Sequence, residues 1–232
     1  MNYLVIGGSS GIGLELVNKL VAEGHQVYAA SRHQGELPSS AHFIAFDVLG
    51  DTLSLKENLP DVLDGLAYCP GTINLKPFGR LSETDFENDF KVNVLGAVKV
   101  IQAVTPLLKK SESPSVVLFS TVAVQTGMGF HASIAASKGA IEGLTRSLAA
   151  EFAAIKIRVN ALAPSLTATP LAQALISSPE RKEASDKRHP LGRIGTAKEL
   201  ADAAFFLITP QSAWITGQII AIDGGMSSVR SF

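Results

Sequence analysis

The stretch Val5-Ile6-Gly7-Gly8-Ser9-Ser10-Gly11-Ile12-Gly13-Leu14-Glu15-Leu16 frames the reading of the whole chain. An apolar run from Tyr3 to Ile6 breaks into glycines, and beyond them Ile12, Leu16 and Leu20 recur at helical spacing. Strand, glycine turn and helix, in that order, are what a dinucleotide-binding loop requires. Glycine takes positive φ without steric cost and lets a pyrophosphate approach the main chain. The following helix offers unpaired N–H groups and the positive end of its dipole to the phosphates. The spacing is Gly7-x-x-x-Gly11-x-Gly13, and a Gly/Ser-rich turn without a ligand is the competing reading. The later segments of the chain suit the same fold, which favours a nucleotide cofactor.

Bulk properties agree with a single α/β domain. The chain has 232 residues, 46% hydrophobic and 18% charged, with a net charge of −1. That composition belongs to a globular protein, and the near-neutral charge gives no footprint for nucleic acid or for a membrane surface. Cys69 is the one cysteine, so no disulfide forms within the chain, as suits a reducing compartment. No uninterrupted apolar run reaches the ~20 residues of a membrane span, and the first strand starts too early to leave room for a signal segment. The expectation is a soluble, cytoplasmic protein.

Outward from the loop, the first helix is expected to stop near Gly24, and His25 to Ala30 reads as a second strand. An acidic residue at the end of that strand would bind the ribose 2′-OH of NAD. Ser31-Arg32-His33 stands there instead, with no carboxylate before Glu36. A guanidinium matches a 2′-phosphate in charge and geometry, so NADP(H) is favoured over NAD(H), against the alternative of a solvated surface arginine.

Phe43 to Phe46 is a third strand closed by Asp47-Val48, residues 49–61 are polar and helical in part, and Val62 to Tyr68 is a fourth strand ending in Cys69-Pro70-Gly71. Ser82 and Asp85 are spaced as a capping box for a long helix. Its expected face is Phe86, Phe90, Val94, Ala97, Ile101 and Val104, with Asn93 among them. Ser115 to Thr121 is a fifth strand, a helix follows from about Ser133 to Ala153 with Ser133 as its expected N-cap, and Ile157 to Leu162 is a sixth strand. Residues 165–196 are too long for a plain connector and read as a substrate lid. Its stripe of Leu171, Leu175 and Ile176 suits either an apolar substrate or packing on the core. Glu199 to Ile208 and Gln218 to Ile222 complete the series before Asp223-Gly224-Gly225. Alternation of this kind builds one doubly wound parallel sheet, Rossmann-like, with helices on both faces. Ligands then lie beyond the carboxyl ends of the strands, where Gly7, Ser31, Gly71 and Thr121 are expected to share one crevice.

On these residues the chain resembles the short-chain dehydrogenase/reductase family over essentially its whole length. The glycine loop resembles the family's Thr-Gly-x-x-x-Gly-x-Gly, with Ile6 at the usual threonine. Asp47-Val48 is similar to its adenine contact, Arg158-Val159-Asn160 and Pro164 to its sixth strand, with Ser165 replacing a usual glycine. Thr169 falls at its carboxamide-binding threonine, and Trp214-Ile215-Thr216-Gly217-Gln218 with Asp223-Gly224-Gly225 resembles its C-terminal signature. The resemblance implies a cofactor set of Gly7, Ser9, Ser10, Gly11, Ile12, Gly13, Arg32, Asp47, Val48, Gly71, Lys138, Pro164 and Thr169, no metal, and a homo-oligomer, dimer or tetramer. It also implies hydride transfer between a nicotinamide and a small carbonyl or alcohol substrate. A tyrosine exchanges the proton, a lysine lowers its pKa and holds the ribose, a serine bonds the substrate oxygen, and an asparagine stands behind them.

Carried over by position, Lys138 matches the lysine, Asn93 the asparagine, and Thr121 keeps a hydroxyl at the serine position. At the tyrosine position, four residues before Lys138, stands Ile134. The chain's tyrosines are Tyr3, Tyr28 and Tyr68, all in its first half, and the family's Asn-Asn-Ala-Gly becomes Tyr68-Cys69-Pro70-Gly71. A positioned general acid contributes roughly 10²–10⁴ in rate, and isoleucine supplies none of it. His131, Ser133 and Thr121 are the candidate substitutes. His131 shares a helical face with Ile134 and Lys138 if the helix reaches back to it, against a solvent-facing alternative. Two functions are expected from this: an oxidoreductase with an atypical proton donor, or a catalytically impaired NADP(H)-binding sensor or partner subunit in which Lys138 only holds the ribose.

Overall fold

The computed structural model describes residues 1–230 and places seven parallel strands in one sheet. These are β1 (Asn2–Ile6), β2 (Gln26–Ser31), β3 (His42–Ala45), β4 (Gly65–Tyr68), β5 (Ser115–Phe119), β6 (Arg158–Pro164) and β7 (Ile219–Ile222). Their order is β3-β2-β1-β4-β5-β6-β7. The chain winds outward from β1 to β3, then returns to lay β4 on the other side of β1. That reversal opens a crevice beyond the carboxyl ends of β1 and β4.

Helices cover both faces: α1 (Gly11–Ala22), α2 (Leu53–Asn58), α3 (Glu83–Leu108), α4 (Ala132–Phe152), α5 (Pro179–Asp186) and α6 (Ala197–Ile208). Strand side chains alternate between two apolar layers, as the period of two demands. Tyr3, Val5, Ala67 and Val117 pack under α1 and α6, while Leu4, Ile6, Leu66 and Leu118 pack under α3 and α4. Each fully buried leucine or isoleucine of this kind contributes about 1.5–3 kcal/mol, and two such layers explain why the strands read as continuous apolar runs. The helix α3 has the length and hydropathy of a membrane span. Its Ala97, Val100, Ile101, Val104 and Leu108 are buried against the sheet, so that apolarity is accounted for as core.

Two details correct the expectations. Within α3, Lys91–Leu95 form a π-turn, which rotates the helix partway along its length. The expected apolar face is therefore broken: Phe90 is exposed and Asp89 turns inward, while Asn93 is buried as expected. Ser133 is not the N-cap of α4. His131 holds that place, and Ser133 is fully buried two residues further on, its Oγ donating to the Asp89 carboxylate. A carboxylate acceptor across the helix interface is stronger than a backbone partner at the helix end.

Other expectations hold locally. Ser82 and Asp85 form the capping box of α3, and Gly24 takes φ +80° just beyond α1. The segment 165–196 is built rather than open: Thr167–Ala168 pairs with Gly195–Thr196, and between them lie the 3-10 helix Pro170–Ile176 and α5.

Candidate active site

The glycine loop is shaped by contact. Gly7 follows β1 at φ +73°, and its N–H donates to Ala30 O at 2.8 Å. A side chain on Gly13 would run into the Gly7 carbonyl, so α1 can sit this close to the loop only with glycine there. Ser10 occupies the N-cap position of α1, yet its side chain caps nothing. The N–H groups of the first turn are thereby left for an anion. Above them lies a crevice of about 610 Å³, lined by Gly7, Ser9, Ser10, Gly11, Ile12, Gly13, Arg32, Asp47, Val48, Gly71 and Thr169. An uncapped helix start over a loop that excludes side chains fits a dinucleotide pyrophosphate. Arg32 is exposed on the wall, and no ion pair among the described residues engages it.

Lys138 and Pro164 open onto a second cavity of about 320 Å³, which shares Ile12, Cys69, Gly71, Thr72, Thr169 and Leu171 with the first. The one crevice expected from the strand ends is thus two joined spaces. Gly7 and Ser31 face the first, Thr121 the second, and Gly71 both. Thr121, His131, Ile134 and Lys138 all line the second space, with Leu171 and Leu175 from the 165–196 segment.

Lys138 is buried on α4, and its Nζ donates to Phe119 O at 2.8 Å. Burial lowers its pKa to about 8, against the opposing pull of Cys69 and Asp89. Burial also pushes the Cys69 thiol up to about 12. Asn93 is wholly buried, and its Nδ2 donates to Thr72 Oγ1 at 2.8 Å and to Asp89 O at 2.7 Å. Its Oδ1 has no partner among the described residues. A Cβ on Gly71 would lie 3.3 Å from that oxygen and 3.5 Å from Lys138 Nζ. Gly71 therefore keeps open a space faced by both polar groups, which explains why it alone remains of the family's Asn-Asn-Ala-Gly. An unpaired buried carbonyl oxygen costs about 1–3 kcal/mol, and it points to a polar ligand rather than to a folding role.

Thr121 Oγ1 accepts from Ala123 N–H at 3.3 Å, leaving its hydrogen for the cavity. His131 is half-buried on the cavity wall, its Nδ1 2.7 Å from Gly129 O, so it is not the purely solvent-facing residue of the alternative reading. Ser133 does not reach the cavity and is withdrawn as a proton donor. Ile134 is buried and forms part of the wall.

Sequence reasoning missed three groups. Asp89 is buried and accepts from Thr72 Oγ1 at 2.5 Å and from Ser133, tying the loop after β4 to α3 and α4. Ser165 Oγ lies 2.9 Å from His189 Nε2, and both line the second cavity. A buried polar position on α3 was the one available signal for the first. The second joins residues twenty-four apart, beyond any local pattern. Conversely, Arg158 and Asn160 are structural. Arg158 donates to the carbonyls of Leu207, Thr209 and Ser212, and Asn160 pairs with Ile215 O and Gln218 N.

Residues 7–227 match the family model described as enoyl-(acyl carrier protein) reductase. The chain is 34% identical to a tropinone reductase homolog of Arabidopsis thaliana, covering 98% of this chain and 93% of that one. It is 33% identical to L-xylulose reductase of Bos taurus, over 96% and 94% of the two chains. Among solved structures, ElxO with NADP bound aligns at a TM-score of 0.89 and 26% identity, over 98% of this chain and 99% of that one. With its sheet order, its glycine loop and these likenesses, the chain belongs to the short-chain dehydrogenase/reductase family.

Proposed function

We propose that the protein is an NADP(H)-dependent oxidoreductase acting on a carbonyl or alcohol group of a small molecule, with a proton donor other than tyrosine. The observation that carries this reading is the convergence of Lys138 Nζ and the unpaired Asn93 Oδ1 on the space kept open by Gly71, where the two cavities join. A fold alone does not require two buried polar groups to face a gap. The likeness to a tropinone reductase homolog, to L-xylulose reductase and to an NADP-bound relative supports the reaction class.

The nicotinamide, when bound, supplies or takes the hydride. The chain's own residues do the rest. Gly7 to Gly13 and the start of α1 hold the pyrophosphate, Asp47 and Val48 the adenine, and Arg32 the 2′-phosphate. Lys138 binds the nearer ribose, Pro164 and Thr169 border the nicotinamide, and Thr121 directs its hydroxyl hydrogen at the substrate oxygen. Ile134, Leu171 and Leu175 exclude water and receive an apolar substrate body. Homo-oligomeric assembly in the cytoplasm completes the proposal.

The burial of Ile134 at the tyrosine position favours one second reading, an NADP(H)-binding sensor or partner subunit without turnover. The two are separated by following NADPH and NADH oxidation against ketones, aldehydes and quinones. Turnover with NADPH is expected; tight NADPH binding without oxidation by any of them selects the sensor. Arg32→Ala is expected to weaken NADPH binding roughly 10–100-fold, the worth of a charge-assisted pair, with NADH little changed. An equal loss for both removes the 2′-phosphate assignment.

A further inference from the structure

We infer that Ser165 and His189 are the proton-exchanging pair of this site, with Ser165 touching the substrate oxygen and His189 exchanging the proton behind it. This rests on the oxidoreductase reading above.

Position comes first. β5 and β6 run parallel with Phe119 opposite Leu162, and Ser120 N–H and Val122 N–H continue the ladder to Leu162 O and Pro164 O. Thr121 is therefore level with Pro164, and Ser165 is the next residue on a neighbour about 4.8 Å away. Ser165 lines the same cavity as Thr121, Ile134 and Lys138. Backbone bonds hold it there: Ser165 N–H donates to Ile222 O at 3.4 Å, and Leu191 N–H, two residues past His189, donates to Gly224 O at 3.2 Å.

The hydrogen-bond pattern fixes the chemistry. His189 is 4% exposed, with Nδ1 2.8 Å from Ser185 O and Nε2 2.9 Å from Ser165 Oγ. A carbonyl only accepts, so Nδ1 carries a hydrogen in either charge state. In the neutral ring Nε2 accepts the Ser165 hydrogen, and the lone pairs of Oγ are left free to take an alcohol proton. In the imidazolium Nε2–H donates to Oγ, and the Ser165 hydrogen turns to the cavity, ready for a carbonyl oxygen. His131 lines the cavity too, but no hydroxyl is coupled to its ring among the described residues.

In the reducing direction, hydride from the reduced nicotinamide cofactor forms the new C–H bond and the carbonyl π pair moves to oxygen. That oxygen takes the Ser165 hydrogen, and Oγ takes the His189 Nε2 hydrogen. The products are the alcohol, the oxidised cofactor and a neutral ring that solvent reprotonates. Oxidation runs the same transfers backward. The charged and titratable groups facing the ring are Asp186 at the end of the preceding helix α5, the neighbouring Arg188, and Asp223 at the end of β7, with Lys138 of α4 and its N-cap His131 across the cavity.

The test compares wild type with Ser165→Ala, Ser165→Thr, His189→Gln and the Ser165→Ala/His189→Gln double variant, using NADPH and a ketone that wild type reduces. NADPH affinity is expected to stay within about threefold, while ketone reduction falls roughly 10²-fold or more in the alanine and glutamine variants. The double variant falls no further than the worse single, and Ser165→Thr keeps most of the rate. The dependence of the wild-type rate on pH changes in His189→Gln. In the ligand-free protein, imidazole ¹⁵N NMR shows His189 with Nδ1 protonated, and the Nε2 resonance moves in Ser165→Ala. Wild-type turnover that survives both single variants overturns the pair alone, as do multiplicative losses or an unmoved Nε2 resonance. A wild type that binds NADPH and reduces no carbonyl overturns the oxidoreductase reading and the pair with it.

Discussion

Lys138 is a buried cation with a measurable energetic signature. Burial lowers its pKa from 10.5 to about 8. Between those values the unfolded chain binds more protons than the folded one, so stability rises with pH across the window. From pH 7 to 9.5 the contribution is about 2 kcal/mol, from ~1.36 kcal/mol per pKa unit. For a chain of this size that corresponds to about 4–8 °C in Tm. Lys138→Met keeps the apolar stem and removes the titration. It also leaves Phe119 O without the Nζ donor, a pH-independent loss of about 1–3 kcal/mol. Urea unfolding of both proteins at pH 7 and 9.5 separates the two effects. The wild-type advantage is expected to grow by about 2 kcal/mol between the two pH values, since every other titration is common to both proteins. A gap constant to within about 0.5 kcal/mol would show that the ammonium is solvated, and would remove the argument that it is poised at the cavity.

Two further outcomes probe the same wall. Ile134→Tyr places a phenol one helical turn from Lys138; it is expected to change the wild-type rate less than about fivefold but to restore roughly 10²-fold of the loss in Ser165→Ala. No restoration in a folded, NADPH-binding variant would mean that position 134 does not face the reacting oxygen. Cys69, with its thiol pushed up to about 12, is expected to react with iodoacetamide at pH 7.5 roughly 10³-fold more slowly than a free thiol. Alkylation at the rate of a free thiol contradicts that neutral state.

The fold was legible because its signals are local and repeated. Tyr3 to Ile6, the glycines and the spacing of Ile12, Leu16 and Leu20 carry one βα unit in twenty residues, and each later strand repeats the apolar run that two covered faces demand. The glycine loop was legible for the same reason, since Gly13 answers a contact that no side chain survives and Gly7 takes a positive φ. The reacting end was less so. The π-turn at Lys91–Leu95 depends on tertiary packing, so helical periodicity placed Phe90 inside when it is Asp89 that turns in. Ser133 looks like a cap in sequence because caps are where serine commonly sits; across the helix interface it found the Asp89 carboxylate, which no pattern within α4 reveals. His189 was hidden most completely, because its partner lies at the other end of the 165–196 segment.

That last separation gives Ile134 its meaning. In the family's usual arrangement the proton donor and the lysine share one helix, so the donor is fixed whatever covers the site. Here α4 carries Lys138, and four residues before it the buried Ile134 is apolar wall. The Ser165–His189 hydrogen bond joins the start of the 165–196 segment to its far part, after α5 and before the strand pair closes at Gly195–Thr196. The donor therefore exists only when that segment is folded against the end of β6. Leu171 and Leu175 of the same segment line the cavity. An apolar substrate that packs on them stabilises the fold that assembles the donor, so binding energy far from the reacting carbon is spent on the chemical step. Truncating such a substrate at its apolar end is then expected to lower kcat as well as raise KM, and a pure KM effect would show that Ser165 and His189 are assembled without it.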